Sequence, residues 1–559
     1  MKKLLAMVLA LCMVLSMTAC GSSNSTNASP QSTESVKEAL ENQQSQQGLE
    51  DVNNVNNSVV RDQITIGWVA TTSLTPWGTK NNTPGNYEVY EMLYECDAKG
   101  NIFPLLADAS YEGSFMPGCD HEPDSGVYTV KIYDYIKDHK GNAITASDVA
   151  YSYMYQYENE ETSGWGKLIS VEAPDDTTVV FNFESELKNL GELENIFCRC
   201  FIVDEDAHKN SDSQLNAEMI GTGPYKFVSY VSGSTLTLEK NEDYWQKPEL
   251  CRQEQQANVK TIVYQFITES AQNVIALKTG AVDFVHDLDS NSSLDFADGG
   301  EFADQYNVYT YSAKFVYYLT PNCSKDSICN DLNMRLAILN AVDQDGLITA
   351  LGGTNVRAYA YVSDYYSDYD MVDWAGMDNY NTRTSVDSAK VQEYLKAANY
   401  NGEKLVLVCN NQNDMATVIA AQMAAQGINV EVQSLDTSSY RAAVSASSGW
   451  DLDLGRMAGD YNVTVWSHGF SFANTGDGDH ASNWTYDKAW DDQLNLCCTA
   501  EGHTAENMQK WWQMAVDNAY TMGLFTMNTY DIIPEDMTYV ALGDKLTPLP
   551  GACSFAAQN

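Results

Sequence analysis

Apolar and polar residues alternate along Gln63-Ile64-Thr65-Ile66-Gly67-Trp68-Val69, the period of a strand with one buried face, and a Leu74-Thr75-Pro76 turn follows. Residues 87–94 read as a helix. Residues 127–133 alternate as a strand, Lys140-Gly141-Asn142 makes a turn, and Thr145 stands where it caps a helix over 145–157, with Asp148 in the first turn. Residues 179–183, 225–230 and 234–240 alternate again, with Gly221-Thr222-Gly223-Pro224 and Ser232-Gly233 as the turns. The pattern then changes to α/β: strand 262–266, helix 271–278, strand 281–285, helices 332–342 and 386–398, and a β-α-β unit over 404–409, 415–426 and 428–432. Such units bring strand ends to a crevice where ligands bind.

The amino-terminal residues form a unit of their own. Lys2 and Lys3 precede an apolar run over 4–17, which is shorter than the roughly 18 residues needed to span a bilayer, and small residues stand before Cys20. This is a secretion signal. Met17-Thr18-Ala19-Cys20 resembles the bacterial lipobox, which implies cleavage before Cys20 and a lipid on its sulfur, so residues 1–20 are expected to be a lipoprotein signal peptide. Residues 21–60 contain no aromatic residue and are rich in Ser, Asn, Gln and Glu, so they read as a disordered tether. Its root-mean-square reach is roughly 35 Å.

The chain has 559 residues and 44% hydrophobic content, enough for two or three lobes rather than one ordinary domain. Its 32 Lys+Arg against 76 Asp+Glu give a net charge of -44, which repels a phosphate backbone and excludes nucleic acid as a partner. Of the 13 cysteines, Cys12 leaves with the signal and Cys20 carries lipid. The odd number remaining cannot all pair, and their positions show no repeated C-x-x-C spacing. The spacing of Cys323 and Cys329 would allow a bridge across a short loop, but export into a reducing habitat favours free thiols.

Catalytic signatures are missing: there is no G-x-S-x-G, H-E-x-x-H, P-loop or G-x-G-x-x-G. His121 in Cys119-Asp120-His121-Glu122 reads as part of a polar loop. Asp477-Gly478-Asp479-His480 resembles the first half of a calcium loop without its distal Glu. Paired carboxylates for glycoside hydrolysis stay open among so many acids, because their separation belongs to the fold. No metal and no cofactor is expected.

Several segments in a fixed order resemble the family 5 extracellular solute-binding proteins, the peptide- and nickel-binding lipoproteins of ABC importers. Thr222-Gly223-Pro224-Tyr225, then Leu236-Thr237-Leu238-Glu239-Lys240-Asn241 and Asp243-Tyr244-Trp245, is similar to that family's hairpin. Ala276-Leu277-Lys278-Thr279-Gly280-Ala281-Val282-Asp283, Met334-Arg335-Leu336-Ala337 to Asp343, His139-Lys140-Gly141 with Ala146-Ser147-Asp148-Val149, and Asn483 to Asp487 are similar to further family segments. The resemblance covers most of residues 62–545.

It implies an α/β, three-lobed periplasmic-binding-protein-like (venus-flytrap) fold, with two mixed-sheet lobes, an inserted extra lobe and a hinge of two chain crossings. Lobe I would comprise 61–92, 191–303 and 520–559, lobe II the insertion 93–190, and lobe III 304–519. The implied function is capture rather than catalysis, so the chain is expected not to be an enzyme. A lipid-anchored monomer on the outer face of the cytoplasmic membrane would bind a short peptide between lobes, close, and deliver it to a permease with its ATPases.

Gly459-Asp460-Tyr461-Asn462 resembles the segment whose aspartate pairs with the ligand α-ammonium group in peptide-binding members. A carboxylate suits this task, since a desolvated ammonium needs a counter-charge. Met457, Ala458 and Gly459 would supply backbone for an extended peptide, as in strand addition. Arg357 and Arg456 are candidates for a ligand carboxylate, which a guanidinium grips bidentately. Trp68, Tyr461 and Trp466 are candidate cleft aromatics. A nickel chelate, a sugar or a signalling peptide remains open as cargo on the same fold, and a surface hydrolase of peptide or glycan is the alternative from another class.

Overall fold

The computed structural model describes residues 58–556 apart from 60, 70, 72, 78–82, 97–101, 124, 160–167, 185–195, 353–354, 363–367, 459–486, 500 and 543–546. The largest sheet among them is mixed and has 11 strands. Its strands lie in the order Asn429–Leu435, Lys404–Asn410, Leu452–Ala458, Tyr306–Pro321, Met522–Pro534, Phe284–Leu288, Arg61–Trp68, Val259–Phe266, Thr235–Lys240 and Tyr225–Val231, and Val356–Arg357 adds to Met522–Pro534. Arg61–Trp68 is parallel to both of its neighbours. It buries Ile64 and Ile66 completely, as its alternation requires.

Two strands hold this sheet together across its middle. Tyr306–Pro321, 16 residues long, and Met522–Pro534, 13 residues long, pair antiparallel and join two separate cores. At one end Val308, Tyr530 and Ile532 pack with Leu288 and Phe296. At the other, Tyr318, Leu319, Met522, Leu524 and Phe525 pack with Met334, Ile338, Leu407 and Trp511. Between the cores the register slips: Ser312 faces Asn528 and Val316 faces Thr526, so Ala313, Lys314 and Phe315 stand against Met527 alone. A bulge of this kind bends and twists the ladder.

A third core has its own four-stranded antiparallel sheet, Cys119–His121, Val127–Lys131, Thr178–Phe183 and Leu168–Asp175, covered by the helix Ala146–Asn159. Tyr128, Val130, Val149, Tyr153 and Phe181 fill it, together with Phe197, Ile202 and Trp245. The helix starts as its sequence predicts. Asp148 Oδ2 accepts from the backbone N–H of Thr145 at 2.8 Å and from its hydroxyl at 2.9 Å.

Three local expectations change. The helix expected over 87–94 is only Asn86–Val89, because the backbone beyond it turns its carbonyls outward: Gly223 N–H donates to Val89 O and Ile202 N–H to Glu91 O. The strand expected over 281–285 is Phe284–Leu288, since Ala281 and Val282 still bond back to Ala276 O at the end of the preceding helix. Ser58–Val59, expected within the tether, pair with Phe555–Ala556 at the edge of a small sheet. Cys323 and Cys329 are both buried free thiols, the favoured of the two readings of their spacing.

Candidate functional site

The strand crossing is where groups from both cores meet. On one side Trp68 closes the strand Arg61–Trp68 and stacks on His286, ring centroids 4.3 Å apart at 23°. Val285 pairs with Ile532 and Leu288 with Tyr530, so two residues, His286 and Asp287, stand against Asp531 alone. That bulge frees a backbone donor, and the fully buried Asp531 takes it: Asp287 N–H reaches Oδ1 at 3.0 Å. His286 Nδ1–H donates to the same oxygen at 2.8 Å, and Tyr539 O–H donates to Oδ2 at 2.5 Å. Asp287 itself has φ +64°, a left-handed conformation that this anchoring holds.

Along the crossing strand the apolar pattern breaks at Thr526, Asn528 and Thr529. Asn528 Oδ1 and Thr529 Oγ1 are buried with no hydrogen-bond partner among the described residues. A buried polar atom left so costs about 1–3 kcal/mol, which an incoming partner recovers. Sequence reasoning passed over these residues and the His286–Asp531 pair. The signal was available as a polar interruption of an otherwise apolar strand.

On the other side, Met457 pairs with Val316 and Ala458 with Phe315, so the strand Leu452–Ala458 ends at the bulge. Gly459, the next residue, and Asp460, Tyr461 and Trp466 lie outside the described residues, as does Asp477-Gly478-Asp479-His480. Arg456 is exposed on that strand. Arg357 is held by Asp345, with Nη2 to Oδ2 at 2.8 Å, and its Nη1 donates to the carbonyls of Asn381 and Arg383 at 3.1 and 2.7 Å. Its guanidinium is therefore already engaged within its own lobe. Trp68, 8% exposed, packs against both His286 and Tyr264. His121 is tied down locally, with Nε2 3.1 Å from Ser125 O and its ring stacked on Tyr128. Among the described residues no group of three or more His, Cys, Asp or Glu is arranged to hold a metal, and no helix is long and apolar enough to cross a membrane.

Residues 101–479 match the family described as Bacterial extracellular solute-binding proteins, family 5 Middle. The oligopeptide-binding protein AppA of Bacillus subtilis is 23% identical over 489 residues, 80% of this chain and 82% of that protein. A putative ABC transporter peptide-binding protein of Brucella ovis is 26% identical over 357 residues, 60% of this chain and 63% of the relative, so the chain spans under two thirds of its length. The solved structure of B. subtilis AppA in complex with a nonapeptide superposes with a TM-score of 0.63 at 19% identity, covering 90% of this chain and 100% of that one. NikA from Brucella suis in complex with Fe(III)-EDTA superposes with a TM-score of 0.70 at 17% identity, covering 89% and 100%. The fold is thus the expected α/β periplasmic-binding-protein arrangement, and the chain belongs to the bacterial extracellular solute-binding proteins, family 5.

Proposed function

We propose that this protein captures a short peptide between its two sheet-bearing lobes and presents it to the permease and ATPases of an ABC importer, from a lipid anchor at Cys20 on the outer face of the cytoplasmic membrane. The observation that carries this reading is the crossing itself: two strands shared by two cores, bulged between them at Ala313–Phe315 against Met527. A ligand shifts the lobes toward closure only by contacting both, and the end of the strand Leu452–Ala458 and the polar residues Asn528 and Thr529 meet at that place. The relatives named for oligopeptides and for peptide transport support a peptide over other cargo. Asp460 is the residue that pairs with the ligand's α-ammonium group, next to backbone from Met457 to Gly459.

The test is a thermal-shift screen of residues 58–559 against short peptides, free amino acids, sugars and nickel chelates. A ligand at about 100 times its Kd stabilises the folded state by about 2.7 kcal/mol, a readable shift. Hits confined to peptides, lost on acetylating their amino terminus and on Asp460→Ala, are expected. A shift from nickel chelate or sugar alone would keep the family and discard the peptide. The anchor is checked by labelled fatty acid, which Cys20→Ser should exclude from the protein.

A further inference from the structure

We infer that a cavity at the lobe III end of the strand crossing receives a lysine or arginine side chain of the bound peptide, which makes this protein selective for basic peptides. The inference rests on the peptide reading above and names a ligand class within it.

The cavity has a volume of about 300 Å³, and Thr526, Arg357, Tyr369, Asp370, Asp373 and Trp374 contribute to its wall. Thr526 faces Val316 at the edge of the bulge and also pairs with Val356, so the cavity adjoins the place where the two cores are joined. Tyr369 and Trp374 stack with ring centroids 5.0 Å apart at 23°. The indole N–H of Trp374 is spent on Tyr369 O at 2.6 Å and its ring is buried against Trp512, so the half-buried Tyr369 ring, backed by Trp374, is the aromatic surface in the cavity wall. Such a surface accepts the methylene stem of a long side chain and attracts a cation placed on it.

The charges on the rim point the same way. The cation present, Arg357, is neutralised by Asp345. Asp370 and Asp373 are exposed, and among the described residues neither has a cationic partner. Asp373 Oδ1 accepts from Gly376 N–H at 3.0 Å, its one donor among the described residues. An acidic side chain entering here meets two uncompensated carboxylates, a neutral one leaves them as they are, and an ammonium or guanidinium pairs with them. The net charge of -44 over the whole chain adds a long-range field that draws cationic ligands in and repels anionic ones.

The experiment compares, by isothermal titration calorimetry on residues 58–559, tetra-alanine with versions carrying lysine, arginine, norleucine or glutamate at each position in turn. Norleucine keeps the stem of lysine and removes its charge. At one position lysine and arginine should bind about fivefold tighter than norleucine, with glutamate weakest. The ratio should fall toward one in Asp370→Asn and Asp373→Asn, and with added salt. Peptides that bind with equal lysine and norleucine affinities at every position overturn the inference and leave the peptide reading intact. A lysine preference that survives both substitutions also overturns it. Absence of binding by every peptide overturns the peptide reading and this inference together.

Discussion

Asp531, fully buried in the second crossing strand, accepts a hydrogen bond from His286 Nδ1 at 2.8 Å and fastens that strand to the bulge of Phe284–Leu288. The same carboxylate holds the Asp287 N–H and the Tyr539 hydroxyl, so one side chain satisfies three donors. Trp68 lies against the imidazole, which links this anchor to the end of the strand Arg61–Trp68.

Asp531→Ala should therefore cost at least about 3 kcal/mol, because it orphans three donors in a region closed to water. Asp531→Asn, which still accepts from His286 and Asp287, should cost less. Urea unfolding followed by circular dichroism gives both values; a loss under about 1 kcal/mol for the alanine variant would show that the anchor is not needed.

His139 predicts a loss of stability in acid. Its Nε2–H donates to Gly223 O at 2.9 Å, its Nδ1 accepts from Gly221 N–H, and burial presses its pKa down to about 4. The unfolded chain takes a proton near 6.5 and the folded one does not, so this contribution is complete above pH 6.5 and is lost as pH falls toward 4. In His139→Gln, whose side-chain amide still donates to Gly223 O, the slope of stability with pH between 4 and 6.5 should be shallower than in the wild type.

Glu88 has the opposite sign over an overlapping window. Burial raises its pKa to about 7, and Tyr264 O–H donates to it at 2.9 Å. The folded chain keeps a proton that the unfolded chain gives up near 4.5, so stability declines as pH rises from about 4.5 to 7. Glu88→Gln keeps an acceptor for Tyr264 and removes the charge. It should raise stability at pH 8 by an amount on the order of 2–3 kcal/mol and change it little at pH 4. A gain equal at both pH values would mean that ionisation is not its source.

The Gly-Thr-Gly-Pro turn packs backbone on backbone. A Cβ on Gly221 would lie 2.1 Å from Val89 O, and one on Gly223 would lie 2.4 Å from Glu88 O. Neither oxygen can swing away as a side chain would. Gly223→Ala should lose about 2 kcal/mol or more in urea unfolding, and the far more open Gly233→Ala should lose less. Gly233 has nothing within 4 Å of its added Cβ but has φ +68°, so its cost is local strain alone.

Periodicity along the chain determined a great deal. The helices Leu332–Ala341 and Ser388–Ala397 and the β-α-β unit from Lys404 to Leu435 stand where the pattern puts them, because a local period encodes which face of an element is buried. Asp331 and Asp387 cap those two helices from the adjacent residue, a device wholly contained in local sequence. The ordered run of turn and hairpin motifs carried the family and the fold, since those residues meet backbone constraints that do not depend on the ligand.

Tertiary structure alone decided what each buried face meets. Residues 87–94 read as a helix, yet Tyr90 is extended, because Val89 O accepts from Gly223, Glu91 O accepts from Ile202, and the carboxylate of Glu91 finds Tyr244, Trp245 and Gln255. His286 and Asp531 are 245 positions apart, and the aromatic floor and acidic rim of the cavity are set against a strand that starts after position 521. A one-dimensional pattern records burial, which is a property of single residues. Pairing, bulges and cavities are properties of residues brought together by chain topology, so they are legible only once the two crossing strands have set the cores side by side.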